Sequence, residues 1–122
     1  KVIYVVDDER SIRDFLPLLL ERLNCKKDDI VVLKDAADVF DSLGSRMPDL
    51  IITDLQMTRM NGDVLAAKLR EENYAFPIIL MSGLGEQPSA LKEGAISASI
   101  GKPITKDELV PVLKRVLRMQ KD

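Results

Sequence analysis

The sequence predicts an α/β fold in which a doubly wound, parallel five-stranded sheet carries helices on both faces. Short, uninterrupted runs rich in isoleucine and valine alternate with segments whose apolar residues recur at helical spacing. The chain has 122 residues, a length that suits one domain with a single sizeable core. Regular alternation of strands and helices indicates right-handed crossovers, which place helices on both sides of a parallel sheet.

Five strands are expected, and all but the last are continuous apolar runs. They are Val2–Val6, Ile30–Leu33, Leu50–Thr53, Ile78–Met81 and Ser97–Gly101. The first four have the β-branched composition of strands that are buried on both faces. The fifth lies in the sequence I-S-A-S-I, which has little β-propensity beyond its two isoleucines, so its prediction depends on the alternation.

Helices are predicted from apolar residues three and four positions apart. Three such stripes are Ile12, Phe15, Leu16, Leu19 and Leu23; Ala36, Val39, Phe40 and Leu43; and Leu109, Val112, Leu113, Val116 and Leu117. Asp63–Glu72 forms another helix, and one more is expected between the fourth and fifth strands. Pro17 and Pro111 fall inside predicted helices, so we expect a kink or a late helix start at both. Thr105 and Glu108 match a capping box for the last helix.

Composition narrows the possible chemistry. The 18 basic and 20 acidic residues give a formal charge of −2, which favours neither nucleic acid nor membrane as a direct partner. The sequence has no eighteen-residue apolar run and no signal-peptide pattern. It contains no histidine, which excludes Ser-His-Asp triads and histidine-containing zinc sites. Any acid–base or nucleophilic chemistry must therefore use carboxylates, hydroxyls, lysine or an oxygen-bound metal. The single Cys25 fits a reducing compartment, so we expect a cytoplasmic protein.

Polar residues collect where the predicted strands end, which is where sites form in parallel α/β sheets. They are Asp7, Asp8 and Glu9 after the first strand, Asp54 after the third, Ser82 after the fourth and Lys102 after the fifth. If the first and third strands are neighbours, three of these carboxylates converge at one edge. Like charges at such distances repel strongly, so either these side chains point apart into water or a positive group lies among them.

A hard divalent cation is one answer to this repulsion, because Mg²⁺ prefers oxygen ligands and takes one or two carboxylates directly. Asp7, Asp8 and Asp54 are the candidate ligands. The alternative is that Asp8 or Glu9 caps the first helix, where a negative side chain meets free N–H groups. Capping accounts for one or two carboxylates, but it does not explain the aspartate that ends the third strand.

Lys102 and Ser82 would complete a site for a tetrahedral anion. An ammonium, a hydroxyl and a divalent cation together would surround such an anion with donors and positive charge. Phosphoryl transfer depends mainly on this kind of positioning and charge stabilisation. Asp54, at the centre, could be the nucleophile and form an aspartyl-phosphate. Each residue also has a plainer interpretation, since Lys102 could form an ion pair and Ser82 could cap a helix.

The motifs together resemble the receiver domain of bacterial two-component response regulators. They are V-V-D-D-E at 5–9, D-L-Q-M-T-R-M-N-G at 54–62, M-S-G at 81–83, G-A at 94–95 and K-P at 102–103. The resemblance covers nearly the whole chain and implies a flavodoxin-like fold with strand order 2-1-3-4-5. It also implies that residues 1–122 are one receiver domain without an effector domain in this chain.

The resemblance assigns a role to each site residue. Asp54 would be the phosphoacceptor, with Lys102 as the phosphate-contacting lysine and Ser82 as the switch hydroxyl. Mg²⁺ would be held by Asp7, Asp8, Asp54 and the backbone carbonyl of Gln56. In this family the phosphoryl donor is a phosphohistidine. Because this chain has no histidine, the donor would belong to another protein, a sensor histidine kinase or phosphotransfer protein. Phosphorylation would alter the face formed by the last two helices and the fifth strand, which a downstream effector would recognise.

Four positions depart from the family pattern. Ser99 stands where an inward-turning aromatic is usual, Thr58 where a proline is common, and Ser97-Ala98 where acidic residues are frequent. The site is therefore predicted to be complete while its output differs. Two alternatives stay open: a phosphorylation-independent docking scaffold, and a Mg²⁺-dependent phosphohydrolase. The phosphohydrolase is disfavoured because Asp7 and Asp8 are adjacent, whereas such enzymes commonly carry D-x-D after the first strand.

Overall fold

The computed structural model describes residues 1–83, 86 and 94–119. The strands are β1 (Ile3–Val6), β2 (Ile30–Leu33), β3 (Leu50–Asp54), β4 (Ile78–Ser82) and β5 (Ala98–Gly101). The helices are α1 (Arg10–Arg22), α2 (Ala36–Leu43), α3 (Gly62–Glu71) and α4 (Lys106–Met119), with a 3₁₀ turn at Lys27–Asp29. The helix predicted between the fourth and fifth strands lies outside the described residues. No helix in the described ranges has the length and apolar character needed to cross a membrane.

The five strands form one parallel sheet in the order β2-β1-β3-β4-β5. This confirms the flavodoxin-like α/β fold and the strand order that the sequence predicts. The register of the central pair sets Val6 opposite Thr53, so the residues that follow them reach the same edge of the sheet. On the other side of β3, Asp54 pairs with Met81, the residue before Ser82. Predicted site residues from three strands thus meet at the carboxyl edge.

Alternate residues of each strand enter two separate cores, which is why the strands read as continuous apolar runs. One core joins the sheet to α1 and α4, and the other joins it to α2 and α3. The first contains Ile3, Val5, Ile52, Leu16, Leu20, Leu109 and Val116; the second contains Tyr4, Val6, Ile51, Val39, Leu65 and Leu69. The central strands are thereby fixed on both faces, and the side chains at their ends are held on a rigid base.

Both prolines lie inside continuous helices, so the predicted late start is wrong at Pro17 and at Pro111. The turn before each proline already forms: the Arg13 N–H donates to the Glu9 carbonyl at 3.2 Å, and the Leu109 N–H donates to the Thr105 carbonyl at 3.0 Å. Burial of apolar residues after each proline offsets the missing backbone donor, as Leu19 and Val116 illustrate. The kink stays a prediction. At the start of α4, Thr105 Oγ1 accepts the Glu108 N–H at 3.3 Å, which confirms the first bond of the predicted capping box.

Candidate functional site

Two buried carboxylates lie side by side at the centre of the carboxyl edge. Asp54 is the last residue of β3 and Asp7 follows β1, with 2 % and 0 % of their surfaces exposed. Asp8 adds a third carboxylate from the rim, and oxygen atoms from the three residues all lie within 4.8 Å of one another. Buried aspartates are rare unless they are paired or bind a cation, so this arrangement indicates a functional site rather than packing.

Lys102 supplies the positive charge at this cluster. Its Nζ lies 3.0 Å from Asp54 Oδ1, 3.4 Å from Asp7 Oδ2 and 3.8 Å from Glu9 Oε1. The lysine follows β5, and its backbone N–H donates to the Ser82 carbonyl at 2.8 Å, which fixes where the side chain begins. Only 18 % of the side chain is exposed. One ammonium therefore faces several carboxylates, and the site keeps a net negative charge.

The ionisation of the site reflects this imbalance. Burial raises the pKa of Asp54 to about 6, and the negative charge of Asp7 adds to the shift while Lys102 opposes it. Burial also raises the pKa of Asp7, against the backbone N–H of Glu9 and the ammonium of Lys102. For Lys102, burial acts to lower the pKa, but contact with Asp54 and the charge of Asp7 outweigh it and the pKa is raised. Lys102 thus stays charged, and both aspartates ionise with difficulty.

The cluster fits a hard divalent cation. Within the described ranges, Asp7 Oδ2 and Asp54 Oδ1 are buried side-chain oxygens that make no hydrogen bond. Each faces Lys102 as an ion pair without the alignment of a hydrogen bond. Two such oxygens, together with an accessible carboxylate at Asp8, form a set that Mg²⁺ can bind while it keeps some of its waters. The residues predicted as metal ligands are therefore brought together.

The helix-capping alternative does not explain these carboxylates. Glu9 occupies the N-cap position of α1, yet its side chain makes no capping hydrogen bond. Asp7 Oδ1 accepts the Glu9 N–H at 2.8 Å, and Asp8 Oδ2 accepts the Thr58 N–H at 3.0 Å from a different loop. Asp8 thus faces the segment after β3, which contains Gln56, another predicted metal ligand.

Ser82 and Gln56 are placed near this centre by their backbones. Ser82 is the last residue of β4 and pairs with Gly101, directly before Lys102. Among the described residues, its hydroxyl makes no hydrogen bond to Asp54 or Lys102. Gln56 lies two positions after Asp54, and its backbone N–H acts to lower the pKa of that carboxyl. The metal contact of its carbonyl and the switching role of the Ser82 hydroxyl stay predictions.

The loop after Asp54 is held closely against the site. The Gly62 N–H donates to the Leu55 carbonyl at 2.8 Å, and the Met57 N–H donates to Asn61 Oδ1 at 3.2 Å. A Cβ on Gly62 would lie 2.1 Å from the Asp54 carbonyl oxygen, so only glycine fits there. The Asn61-Gly62 pair therefore supports the site and also begins α3.

Three contacts at the site were not anticipated from the sequence. Glu9 brings a further carboxylate towards Lys102, the Arg13 guanidinium donates to the Asp7 carbonyl at 2.9 Å, and Thr58 donates to Asp8. Arg13 lies six residues after Asp7 in the chain, and Thr58 lies fifty residues after Asp8. No periodicity or motif marks such pairs, because they depend on how two loops meet.

Comparison with known proteins agrees with this geometry. The model of the response regulator receiver domain family matches residues 3–114, and the chain therefore belongs to this family. Receiver domains of this family act as phosphorylation-activated switches in two-component signalling. Both the resemblance read from the motifs and the function class that it implies are confirmed.

Individual relatives cover nearly all of this chain. The transcriptional regulatory protein FixJ of Bradyrhizobium diazoefficiens is 29% identical over 95% of the chain, which spans 56% of that protein. The DNA-binding transcriptional regulator NtrC of Escherichia coli K12 is 31% identical over 95% of the chain, which spans 24% of it. The solved receiver domain of NtrX from Brucella abortus is 28% identical, with a TM-score of 0.83 over 95% of this chain and 98% of that one. The chain thus spans about half or less of these two curated relatives.

Proposed function

We propose that this receiver domain is a Mg²⁺-dependent phosphoacceptor in which Asp54 takes a phosphoryl group from a phosphohistidine. The donor would belong to a sensor histidine kinase or a phosphotransfer protein. The observation that carries the proposal is the contact of 3.0 Å between the Lys102 ammonium and a carboxylate oxygen of Asp54 that is buried and has no hydrogen bond. A nucleophile and the group that offsets charge on the transferred oxygens are thereby side by side.

Each side chain of the site has a distinct role in the proposed phosphoryl transfer. A carboxylate oxygen of Asp54 attacks phosphorus, the P–N bond breaks, and the bonding electrons return to the imidazole nitrogen of the donor. The pKa of Asp54 is about 6, so the nucleophile is ionised at neutral pH. Lys102 stays charged and would hold one transferred oxygen. Mg²⁺, bound by Asp7, Asp8, Asp54 and the Gln56 carbonyl, would offset further negative charge on the phosphoryl oxygens.

The same arrangement supports switching. A phosphoryl group on Asp54 would bring roughly −1.5 to −2 charges to the edge of the sheet, by analogy with other phosphorylated side chains. The Ser82 hydroxyl would then move onto this group and bias an equilibrium between two existing states. Water would later remove the phosphoryl group, with the same residues assisting. In this sense the domain would help its own phosphorylation and dephosphorylation without being an enzyme for other substrates.

The proposed partners are the phosphohistidine protein and an effector that reads the surface around β5 and α4. Ser99 is exposed on β5 in place of the usual aromatic, so the effector must recognise a change other than an aromatic turning inward. We propose residues 1–122 as one receiver domain that makes no direct contact with DNA and works in the cytoplasm.

Intact-mass measurement with acetyl phosphate tests the proposal. We expect one added phosphoryl group on the parent with Mg²⁺, none with EDTA and none on Asp54→Asn. Asp14→Asn is the matched control, since Asp14 is an exposed aspartate on α1 and should leave the reaction unchanged. Beryllofluoride mimics an acyl phosphate without hydrolysing, so its binding to the parent would identify an adduct too short-lived to detect. Failure of both would favour the docking scaffold, and steady turnover of a generic phosphoester would favour the phosphohydrolase.

A further inference from the structure

Thr58 makes a contact between the two loops that form the candidate metal site. Its backbone N–H donates to Asp8 Oδ2 at 3.0 Å, and its hydroxyl lies at 3.5 Å from the same oxygen. Asp8 belongs to the loop after β1, whereas Thr58 belongs to the loop after β3. The N–H contact has the distance of a normal hydrogen bond and the hydroxyl contact is marginal. The backbone of Thr58 is therefore the principal link between the two loops at this point.

The donor is itself held in place. The Thr58 carbonyl accepts the Met60 N–H at 2.8 Å, and the residue before it, Met57, donates its N–H to Asn61. The loop thus has a fixed shape on both sides of Thr58. A carboxylate that accepts a hydrogen bond from such a loop loses side-chain freedom before any cation arrives.

We infer that Thr58 is a positioning residue that pre-sets Asp8 for a divalent cation through its backbone N–H. The inference rests on the proposed metal site, and it concerns how Asp8 is oriented rather than whether it is a ligand. Asp8 Oδ2 accepts the Thr58 N–H, while Asp8 Oδ1 makes no hydrogen bond to any residue that the structure describes and stays available to a cation. Asp7 is already held by the Glu9 N–H. Both metal carboxylates from the loop after β1 would thereby be fixed by backbone donors.

Residue 58 offers a matched pair of substitutions, because proline has no backbone N–H. Thr58→Ala keeps the N–H and removes the hydroxyl, whereas Thr58→Pro removes both. Electron paramagnetic resonance of free Mn²⁺, with Mg²⁺ as competitor, gives the cation affinity without any phosphorylation. We expect Thr58→Ala to bind like the parent and Thr58→Pro to bind on the order of fivefold more weakly, because Asp8 would then lose its side-chain freedom only when the cation binds.

The Mn²⁺ affinities distinguish a failure of the proposed metal site from a failure of the positioning role of Thr58. If the parent binds no cation, the proposed metal site fails. If the parent binds and both variants match it, the positioning role is wrong. Equal weakening in both variants would assign the effect to the hydroxyl and would also overturn the inference. Thermal unfolding of the metal-free proteins shows whether a loss in Thr58→Pro merely reflects a damaged fold.

A second measurement needs only the parent and Asp8→Ala. The Thr58 amide should exchange slowly with solvent in the parent, with the adjacent Arg59 amide as a reference, and quickly in Asp8→Ala. The protection should persist when Mg²⁺ saturates the parent, because the N–H and the cation use different lone pairs of one carboxylate. Release of the Thr58 amide on addition of Mg²⁺ would show that the two compete, and the positioning role would be abandoned.

Discussion

Gly62 lies directly against the backbone of Asp54, so that a Cβ on the glycine would come within 2.1 Å of the Asp54 carbonyl oxygen. The obstacle is main chain at the end of β3, which cannot turn aside as a flexible side chain can. We expect Gly62→Ala to push β3, which ends at Asp54, away from the loop that leads into α3. This displacement should lower the free energy of unfolding by about 1–3 kcal/mol. The rate of phosphorylation by acetyl phosphate should also fall, and by more than the smaller folded fraction of the variant would explain.

Gly44 provides the control for this substitution. It follows α2 with φ −71°, and a Cβ there would meet nothing within 4 Å. Gly44→Ala should leave both urea unfolding and acceptance of the phosphoryl group within error of the parent. An active Gly62→Ala with the parent's stability would mean that the contact between α3 and β3 does not support the site.

The sequence predicts the fold and the central site well because both depend on short-range patterns. The β1 and β3 runs each end in a carboxylate, and the parallel order alone brings Asp7 and Asp54 to one edge. What it cannot predict are contacts between loops, such as the one from Thr58 to Asp8. Nor does it show that helices continue through Pro17 and Pro111, because burial on the far side of a proline is a tertiary effect that overrides local propensity.

The raised pKa of Asp54 makes the stability of the metal-free protein depend on pH. The carboxyl has a pKa of about 6 in the fold against an ordinary value of 3.8, so the folded state holds its proton more tightly. The bound proton of Asp54 therefore stabilises the fold fully at a pH below the ordinary pKa of 3.8, and this stabilisation is lost as the pH rises through about 6. Asp7 shifts in the same direction and adds to the effect.

Asp54→Asn removes this titration while keeping the shape of the side chain. In EDTA, urea unfolding should show little difference from the parent near pH 4, and a growing advantage for the variant as the pH rises through about 6. Asp14→Asn, on the exposed face of α1, should show no such trend. A constant difference between Asp54→Asn and the parent at all pH values would contradict the raised pKa.

Arg70 stabilises the fold at a distance from the site by joining three backbone carbonyls. Its Nε donates to Ala95 at 3.0 Å, and its Nη1 donates to Tyr74 and Phe76 at 2.8 Å each. The guanidinium thus connects α3 to the segments that lead into β4 and β5. Arg70→Met keeps most of the apolar stem but leaves the carbonyls without this donor, and we expect a loss of about 2–4 kcal/mol in urea unfolding.

The matched control for Arg70 is Arg115→Met, at an exposed position of α4, which should change stability by less than about 0.5 kcal/mol. Cation affinity should be unaffected in both variants, since neither arginine contacts the carboxylate cluster. A stability loss in Arg70→Met no larger than in Arg115→Met would show that water replaces the guanidinium at these carbonyls.

Lys102 should affect cation binding and phosphoryl acceptance in opposite directions. Its ammonium contacts Asp54 Oδ1 and Asp7 Oδ2, the two buried oxygens that a divalent cation would also approach. Like charges in so small a space repel, so Lys102→Met at pH 8 should bind Mn²⁺ more tightly, on the order of tenfold. Acceptance of a phosphoryl group from acetyl phosphate should nevertheless fall by at least about a hundredfold, because a charge-stabilising donor is lost. Lys106→Met, exposed at the start of α4, should change neither quantity. Weaker Mn²⁺ binding in Lys102→Met would show instead that the lysine helps to keep the two aspartates ionised for the metal.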